Sequence, residues 1–400
     1  MPDPRPASST PSRPRPMAGL NVLDFTAFVA GPYASRLMAD MGANVIKVEP
    51  PEGETLRGTP PVSNGMSGFF AALNLGKRSI TLNLKTERGI ALARELAAKC
   101  DVIFENFRPG VMKRLGLDYE TLSKDRPGLI YCSISGYGQT GPDAGRPAFA
   151  PIINAASGYT LAEFRYQRAT DKPERSRTIA ADVLGANHAL IAIMTALYRR
   201  ERTGEGDYID VELLAGLMNM IPFEIQEAQF PVEKLNIPIF DPIRATDGYF
   251  VVAPVTQKNF HALAEACGKP EWMEDPRFAT GPARMAHWGE LFGAVEEWAQ
   301  DKTAQDAARA CEAAGCPARR YLTPAQALQN PHMLERGSIV EVTDQMGPHK
   351  VVNTPFRFTN AEAGVTTGAP TLGAGTHEVL ADLLGYDPGQ IAALKEDGVI

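Results

Sequence analysis

The feature that most limits what this chain can fold into is the spacing of its first apolar runs. N-V-L-D-F at 21–25 and N-V-I-K-V-E at 44–49 are both of strand length. Between them, G-P-Y-A-S-R-L-M-A-D-M-G at 31–42 puts Ala34, Leu37 and Met38 on one helical face and stops at Gly42. Strand, helix and strand in so few residues form a βαβ unit, which commits the chain to a parallel sheet. The alternation continues with a strand at 78–84, a helix at 87–100 and strands at 101–107 and 128–135. A strongly apolar helix at 183–200 and a strand at 208–214 follow. After about residue 220 the pattern changes. I-R-A-T-D-G-Y-F-V-V-A-P-V at 243–255 reads as a hairpin, and helical segments at 260–268 and 289–315 follow it. A smaller α+β domain is expected there. Strand and helix signals return at 338–342 and 380–386. At 400 residues the chain exceeds what one core usually serves.

Charge narrows the partners. The net charge is −7, with Lys and Arg spread along the chain, which is no nucleic-acid footprint. The five cysteines contain no C-x-x-C, and Cys311–Cys316 matches no common zinc spacing, so reduced thiols in a cytoplasmic protein are expected. The histidines form no ligand-spaced set, and no metal site is expected. No apolar run reads as long enough to cross a bilayer. Residues 1–16 are rich in Pro, Ser and Arg, lack the apolar stretch of a secretory signal, and read as a disordered tail.

Each motif with chemical potential has an ordinary reading beside it. The first strand-to-helix turn, T-A-F-V-A-G-P, lacks the glycines that a nicotinamide dinucleotide needs for close phosphate approach. G-K-R-S-I-T-L-N-L-K at 76–85 and E-N-F-R-P-G-V-M-K-R-L-G at 105–116 set cations beside strand ends, where parallel sheets bind ligands. Lys77, Arg78, Lys85, Arg108, Lys113 and Arg114 are therefore phosphate candidates, against a solvated basic face as the alternative. S-G-Y-G-Q-T-G-P at 135–142 is a glycine-rich loop after a strand, suited to a ligand or simply to a turn. Asp182 precedes the apolar helix. As an N-cap it would stabilise that helix by roughly 0.5–2 kcal/mol. As a carboxylate held ionised by the helix dipole, it would be a nucleophile toward a thioester.

These segments, in this order, resemble the class III CoA-transferases, the CaiB–BaiF family. The matching stretches include A-G-P-Y-A-S-R-L-M-A-D-M-G-A-N-V-I-K-V-E-P-P, D-V-I-F-E-N-F-R-P-G-V-M-K-R-L-G-L and A-A-D-V-L-G-A-N-H-A-L. The resemblance runs from about Met17 to the C-terminal G-V-I. It implies an α/β fold with a Rossmann-like large domain built from both chain ends, plus a smaller α+β domain. The expected bounds are 17–220 for the first part, 221–330 for the small domain and 331–400 for the return. It also implies an interlocked homodimer. The implied activity moves CoA from an acyl-CoA donor to a small carboxylic acid, such as a dicarboxylate, with CoA as the carried group and no tightly bound cofactor.

In the family's chemistry an Asp at the position of Asp182 forms an aspartyl anhydride and then an aspartyl-CoA thioester. Lys85, Asn106, Phe107 and Arg114 match the family's CoA contacts, and Gly136, Tyr137 and Gly138 match the loop that borders the thioester. The formyl-CoA transferases carry a Gln where this chain has Val29 and an Arg where it has Pro51, which argues against oxalate or formate. The family's racemases carry a His-Asp pair where this chain has Phe149 and Ala150, so 2-methylacyl-CoA racemisation ranks below transfer. A non-catalytic CoA-binding protein is the remaining alternative.

Overall fold

A computed structural model describes residues 13–167, 172–173, 175–230 and 239–400. The chain separates into two compact units. One comprises residues 1–225 and 331–400, the other 226–330.

The larger unit carries a six-stranded sheet. Its elements in chain order are β1 (Asn21–Asp24), α1 (Ala30–Asp40), β2 (Asn44–Glu49), α2 (Gly68–Asn74), β3 (Arg78–Thr81), α3 (Glu87–Ala97), β4 (Val102–Glu105), α4 (Val111–Leu115), β5 (Ile130–Ser135), α5 (Ala150–Ala156), α6 (Ala180–Thr203), β6 (Asp207–Glu212) and α7 (Leu213–Met218). The strand order is β3-β2-β1-β4-β5-β6, and every pairing is parallel. This is the doubly wound Rossmann order, with its topological switch point between β1 and β4.

Alternation along each strand builds two cores. Val22, Val45 and Val102 face α1 and α6 through Met38, Ala186 and Ile193. Leu23, Ile46 and Ile103 face the opposite layer, where Leu92 and Leu96 of α3 meet Val379 and Leu380 from near the chain's C-terminal end. Both sheet faces are covered, as a parallel sheet requires.

Several boundaries differ from the sequence expectation for local reasons. The strand expected at 78–84 stops at Thr81, because Asn83 turns away to bond Val399 and Gly398. The helix expected at 183–200 begins at Ala180, which places Asp182 inside its first turn rather than at its cap. The N-cap residue is Ile179, which offers no side-chain bond; the Ala180 amide donates instead to Thr178 Oγ1 at 3.3 Å. α6 has 24 residues and a window of mean hydropathy 1.4, so one run does reach bilayer-spanning length and apolarity. Its Ala181, Ala186, Ala189 and Ile193 are buried in the sheet's core, which accounts for the apolarity without a membrane. Residues 1–12 of the expected tail lie outside the described residues. Residues 13–16 are held in place: Arg13 donates to Thr359 O, Arg15 to Gly364 O, and Pro14 O accepts from the Glu362 amide.

The smaller unit has a three-stranded antiparallel sheet. Ile243–Ala245 (β7) pairs with Gly248–Val252 (β8), and β8 pairs with Ala318–Arg320 (β9). Helices Gln257–Ala266 (α8), Trp288–Ala299 (α9) and Ala304–Ala314 (α10) accompany it. Its core joins Phe250, Phe260, Phe278 and Leu291 with the buried thiols of Cys267, Cys311 and Cys316. After it, Ile339–Asp344 (β10) and Gly347–Val352 (β11) form a hairpin, and Thr376–Leu384 (α11) and Pro388–Glu396 (α12) complete the larger unit.

Candidate active site

The carboxyl ends of the parallel strands open into two cavities beside the switch point. The first, about 610 Å³, lies at the ends of β1, β2 and β3 and is lined by Phe25–Phe28, Glu54, Leu82, Leu84 and Lys85 among others. The second, about 320 Å³, lies at the ends of β4 and β5 against the start of α6 and is lined by Asn106–Pro109, Ile134–Gly136, Arg146, Phe149 and Asp182 among others. Phe28 and Phe107 line both.

Asp182 is half-buried in this second cavity. Among the described residues no Lys, Arg or His forms an ion pair with it. Burial pushes its carboxyl up from 3.8 to about 6, opposed by its own backbone N–H. The helix N-terminus therefore does not decide its charge, as the sequence expectation had it; desolvation wins. The carboxylate is still largely ionised at neutral pH, and it is more basic and less solvated than an ordinary Asp. Such a group is a better nucleophile.

The other expected site residues divide. Asn106, Phe107 and Gly136 share the cavity with Asp182, and Phe107 and Lys85 share the first cavity. Lys85 is exposed at the turn after β3. Asn106 commits its side chain to the main chain across the switch point: Oδ1 accepts from the Ala27 amide at 2.9 Å, and Nδ2 donates to Ala27 O at 2.8 Å. Its amide thus shapes the crevice. Gly136 is explained by packing, since a Cβ there would sit 2.2 Å from Ala148 Cβ. Arg114 is exposed on α4, next to Leu115 of the first cavity, and lines neither cavity. Tyr137 packs on the core, and Gly138 takes φ +79° in the turn; neither lines these cavities.

Two of the candidate cations are structural. Lys77 is fully buried and donates to Asp24 at 3.0 Å, Asn74 at 2.8 Å and Pro32 O at 3.0 Å. Burial lowers its ammonium to about 8 against the pull of Asp24. Asp24 itself is held below the usual carboxylate range: burial raises it, and Lys77, Lys47 and the hydroxyls of Ser35 and Thr26 together more than offset that. Arg78 pairs with Glu378 and Asp382. Lys113 lines a third cavity, of about 270 Å³, with Glu105, Tyr131 and Tyr208. Arg108 lines both this and the Asp182 cavity.

The sequence reading missed Arg146 and Ser135. Arg146 lines the Asp182 cavity while paired with Asp143 at 2.8 Å. Its signal was the R-P-A-F-A-P segment, read there only for its absent histidine. Ser135 lines the same cavity, and its Oγ is buried without a partner.

A doubly wound sheet with a desolvated carboxylate lining a cavity at its switch point is a candidate ligand and group-transfer site. The chain belongs to CoA-transferase family III, whose profile matches residues 17–376. It is 35% identical over 97% of its length to succinyl-CoA–D-citramalate CoA-transferase of Chloroflexus aurantiacus, covering 98% of that protein. It is 36% identical over 85% of its length to acetyl-CoA:oxalate CoA-transferase of Acetobacter aceti, covering 90% of that protein. A crystal structure of a CAIB/BAIF family protein from Brucella suis superposes with a TM-score of 0.82 at 32% identity, over 93% of this chain and 100% of that one. The chain is accordingly an enzyme that transfers CoA.

Proposed function

We propose that Asp182 carries the transfer covalently. Its carboxylate attacks the acyl-CoA carbonyl, forming an acyl–aspartyl anhydride and releasing CoA thiolate. The thiolate attacks the aspartyl carbonyl of the anhydride, giving an aspartyl-CoA thioester and the free donor acid. An acceptor carboxylate attacks that thioester, which regenerates thiolate and a new anhydride. The thiolate then attacks the acceptor's acyl carbon, and the new acyl-CoA leaves with Asp182 restored. One thioester is exchanged for another, so no ATP is needed, and the covalent intermediates divide a hard exchange into easier steps.

The observation that carries this reading is the position of Asp182: unpaired, desolvated and lining a cavity at the switch point. The first cavity is the nucleotide end of the CoA site in this reading, with Lys85 as a phosphate partner at its rim and Arg114 supplementing it from α4. Phe107 lies along the pantetheine arm, and Asn106 acts by holding Ala27 in place. Gly136 lets the loop pass close to Ala148 beside the thioester, and Tyr137 and Gly138 support that loop from outside the cavity. Arg108 and Arg146 supply positive charge for the acid. Succinyl-CoA is the first donor to test, and small dicarboxylates, including oxalate, form the acceptor panel, because relatives carry these names. Racemisation is disfavoured because, among the described residues, no histidine lines the Asp182 cavity to act as a second base.

We also propose a homodimer, interlocked as in the family, with each chain contributing the larger and smaller units as separate domains. The exposed Ile191, Met194 and Tyr198 of α6 give it an apolar face to cover. Light scattering at the mass of one chain would exclude it. The transferase reading is tested by incubating the enzyme with acyl-CoA and the acid panel. New acyl-CoA is expected with wild type and not with Asp182→Ala. Deuterium incorporation at Cα without CoA exchange would overturn it in favour of racemisation. Tight CoA binding with no turnover on any pair would favour a binding protein.

A further inference from the structure

Phe28 is held in a conformation that its side chain disfavours. Its φ is +64°, in the left-handed region, and only one other non-glycine among the described residues, Asn64, shares that sign. A bulky residue there is a genuine outlier and persists only where its surroundings impose it. Asn106 restrains the residue that precedes Phe28. Its two bonds to Ala27, at 2.9 and 2.8 Å, fix the peptide immediately before Phe28 from across the switch point.

The result is a ring turned outward. Phe28 is 40% exposed and Phe149 57%, although both are large and apolar. The two rings meet edge to face, with centroids 5.5 Å apart and planes at 78°. Both line the cavity that holds Asp182, and Phe28 also lines the larger cavity beside it. An aromatic pair left open to solvent beside a nucleophile is an apolar surface lacking its ligand. Phe149 is the N-cap of α5; its carbonyl accepts from the Ile152 and Ile153 amides, and its ring takes no part in the capping.

We propose that Phe28 and Phe149 form an aromatic gate that sets the upper size of the acyl group delivered to Asp182, with Asn106 as the positioning residue that holds Phe28 in the gate. This rests on the reading that Asp182 receives the acyl group. The ligand class is the acyl portion of a CoA thioester. Small or polar acyl groups pass between the rings and the carboxylate, and longer chains collide with them.

The test compares kcat/KM for straight-chain acyl-CoAs from two to eight carbons in wild type, Phe149→Ala, Phe149→Leu and Asn106→Ala. In Phe149→Ala the ratio of long to short substrates should rise about 10-fold or more, the discrimination that one or two methylenes command in a shaped pocket. Phe149→Leu should fall between. Asn106→Ala should move the same ratio in the same direction, and should add nothing in a Phe28→Gly background, where no ring remains to be held. A chain-length profile parallel to wild type in Phe149→Ala overturns the gate. An Asn106 effect equal in both backgrounds overturns the positioning role. Failure of the underlying reading is distinct: wild type would then form no covalent adduct on Asp182 with any donor, whatever the variants' profiles.

Discussion

Replacing Asp182 by Asn should make the protein more stable at neutral pH while abolishing transfer. Burial moves the carboxyl from 3.8 to about 6. At about 1.4 kcal/mol per unit, ionising it in the folded state costs roughly 3 kcal/mol more than in the unfolded chain. The carboxyl keeps partial contact with solvent, which discounts this to a gain of roughly 2 kcal/mol for a neutral isostere. The sign follows from proton counting. Between pH 3.8 and about 6 the folded state binds more protons than the unfolded, so wild-type stability falls as pH rises through this window. The Asn variant lacks this slope. Urea unfolding at pH 7 and again near pH 3.5 should show the variant ahead at the first and level with wild type at the second. A purely capping Asp182 predicts the opposite sign, a loss of about 0.5–2 kcal/mol on removal. A variant less stable at pH 7, or equally favoured at both pH values, refutes the reasoning.

The same ionisation governs rate. The logarithm of kcat/KM should fall with unit slope below about pH 6, because the protonated acid cannot attack; a rate unchanged down to pH 5 would contradict this. Lys77→Met strands Asp24 in the core and should cost about 3–5 kcal/mol by denaturant unfolding, and Asp24→Asn in the same chain should recover most of it. Lys85→Ala should raise KM for acyl-CoA several-fold with kcat nearly unchanged, and the effect should shrink as salt screens an exposed cation.

The layer architecture was legible because a parallel sheet writes itself into sequence as alternating short apolar runs and amphipathic helices. Val22 and Leu23 face opposite cores, so both faces of their strand are buried and neither shows a solvent-facing polar stripe. Asp182 was legible as a position, not as an environment. Its place on the third residue of α6 depended on Ile179, a residue with no capping signature, and its raised pKa depended on a cavity assembled from the ends of β4 and β5 and the start of α6. The basic segments show the same limit. Lys77 and Lys85 look alike in G-K-R-S-I-T-L-N-L-K, yet one neutralises Asp24 in the core and the other is exposed at a cavity rim. Sheet pleat and turn geometry separate them, and neither is encoded in charge. Asn106 resembled a ligand contact, whereas its amide is spent on Ala27, 79 residues away in sequence. That pairing exists only once β1 and β4 lie side by side.

The central claim is that Asp182 becomes covalently modified. Intact-mass spectrometry after incubation with succinyl-CoA and a panel of other acyl-CoAs, followed by peptide mapping, tests it directly. The account predicts a mass increase matching the acyl or CoA group on the peptide containing Asp182, absent in Asp182→Ala and discharged by an acceptor acid. An active enzyme that shows no adduct on that peptide with any donor, or an adduct that persists in Asp182→Ala, would contradict it.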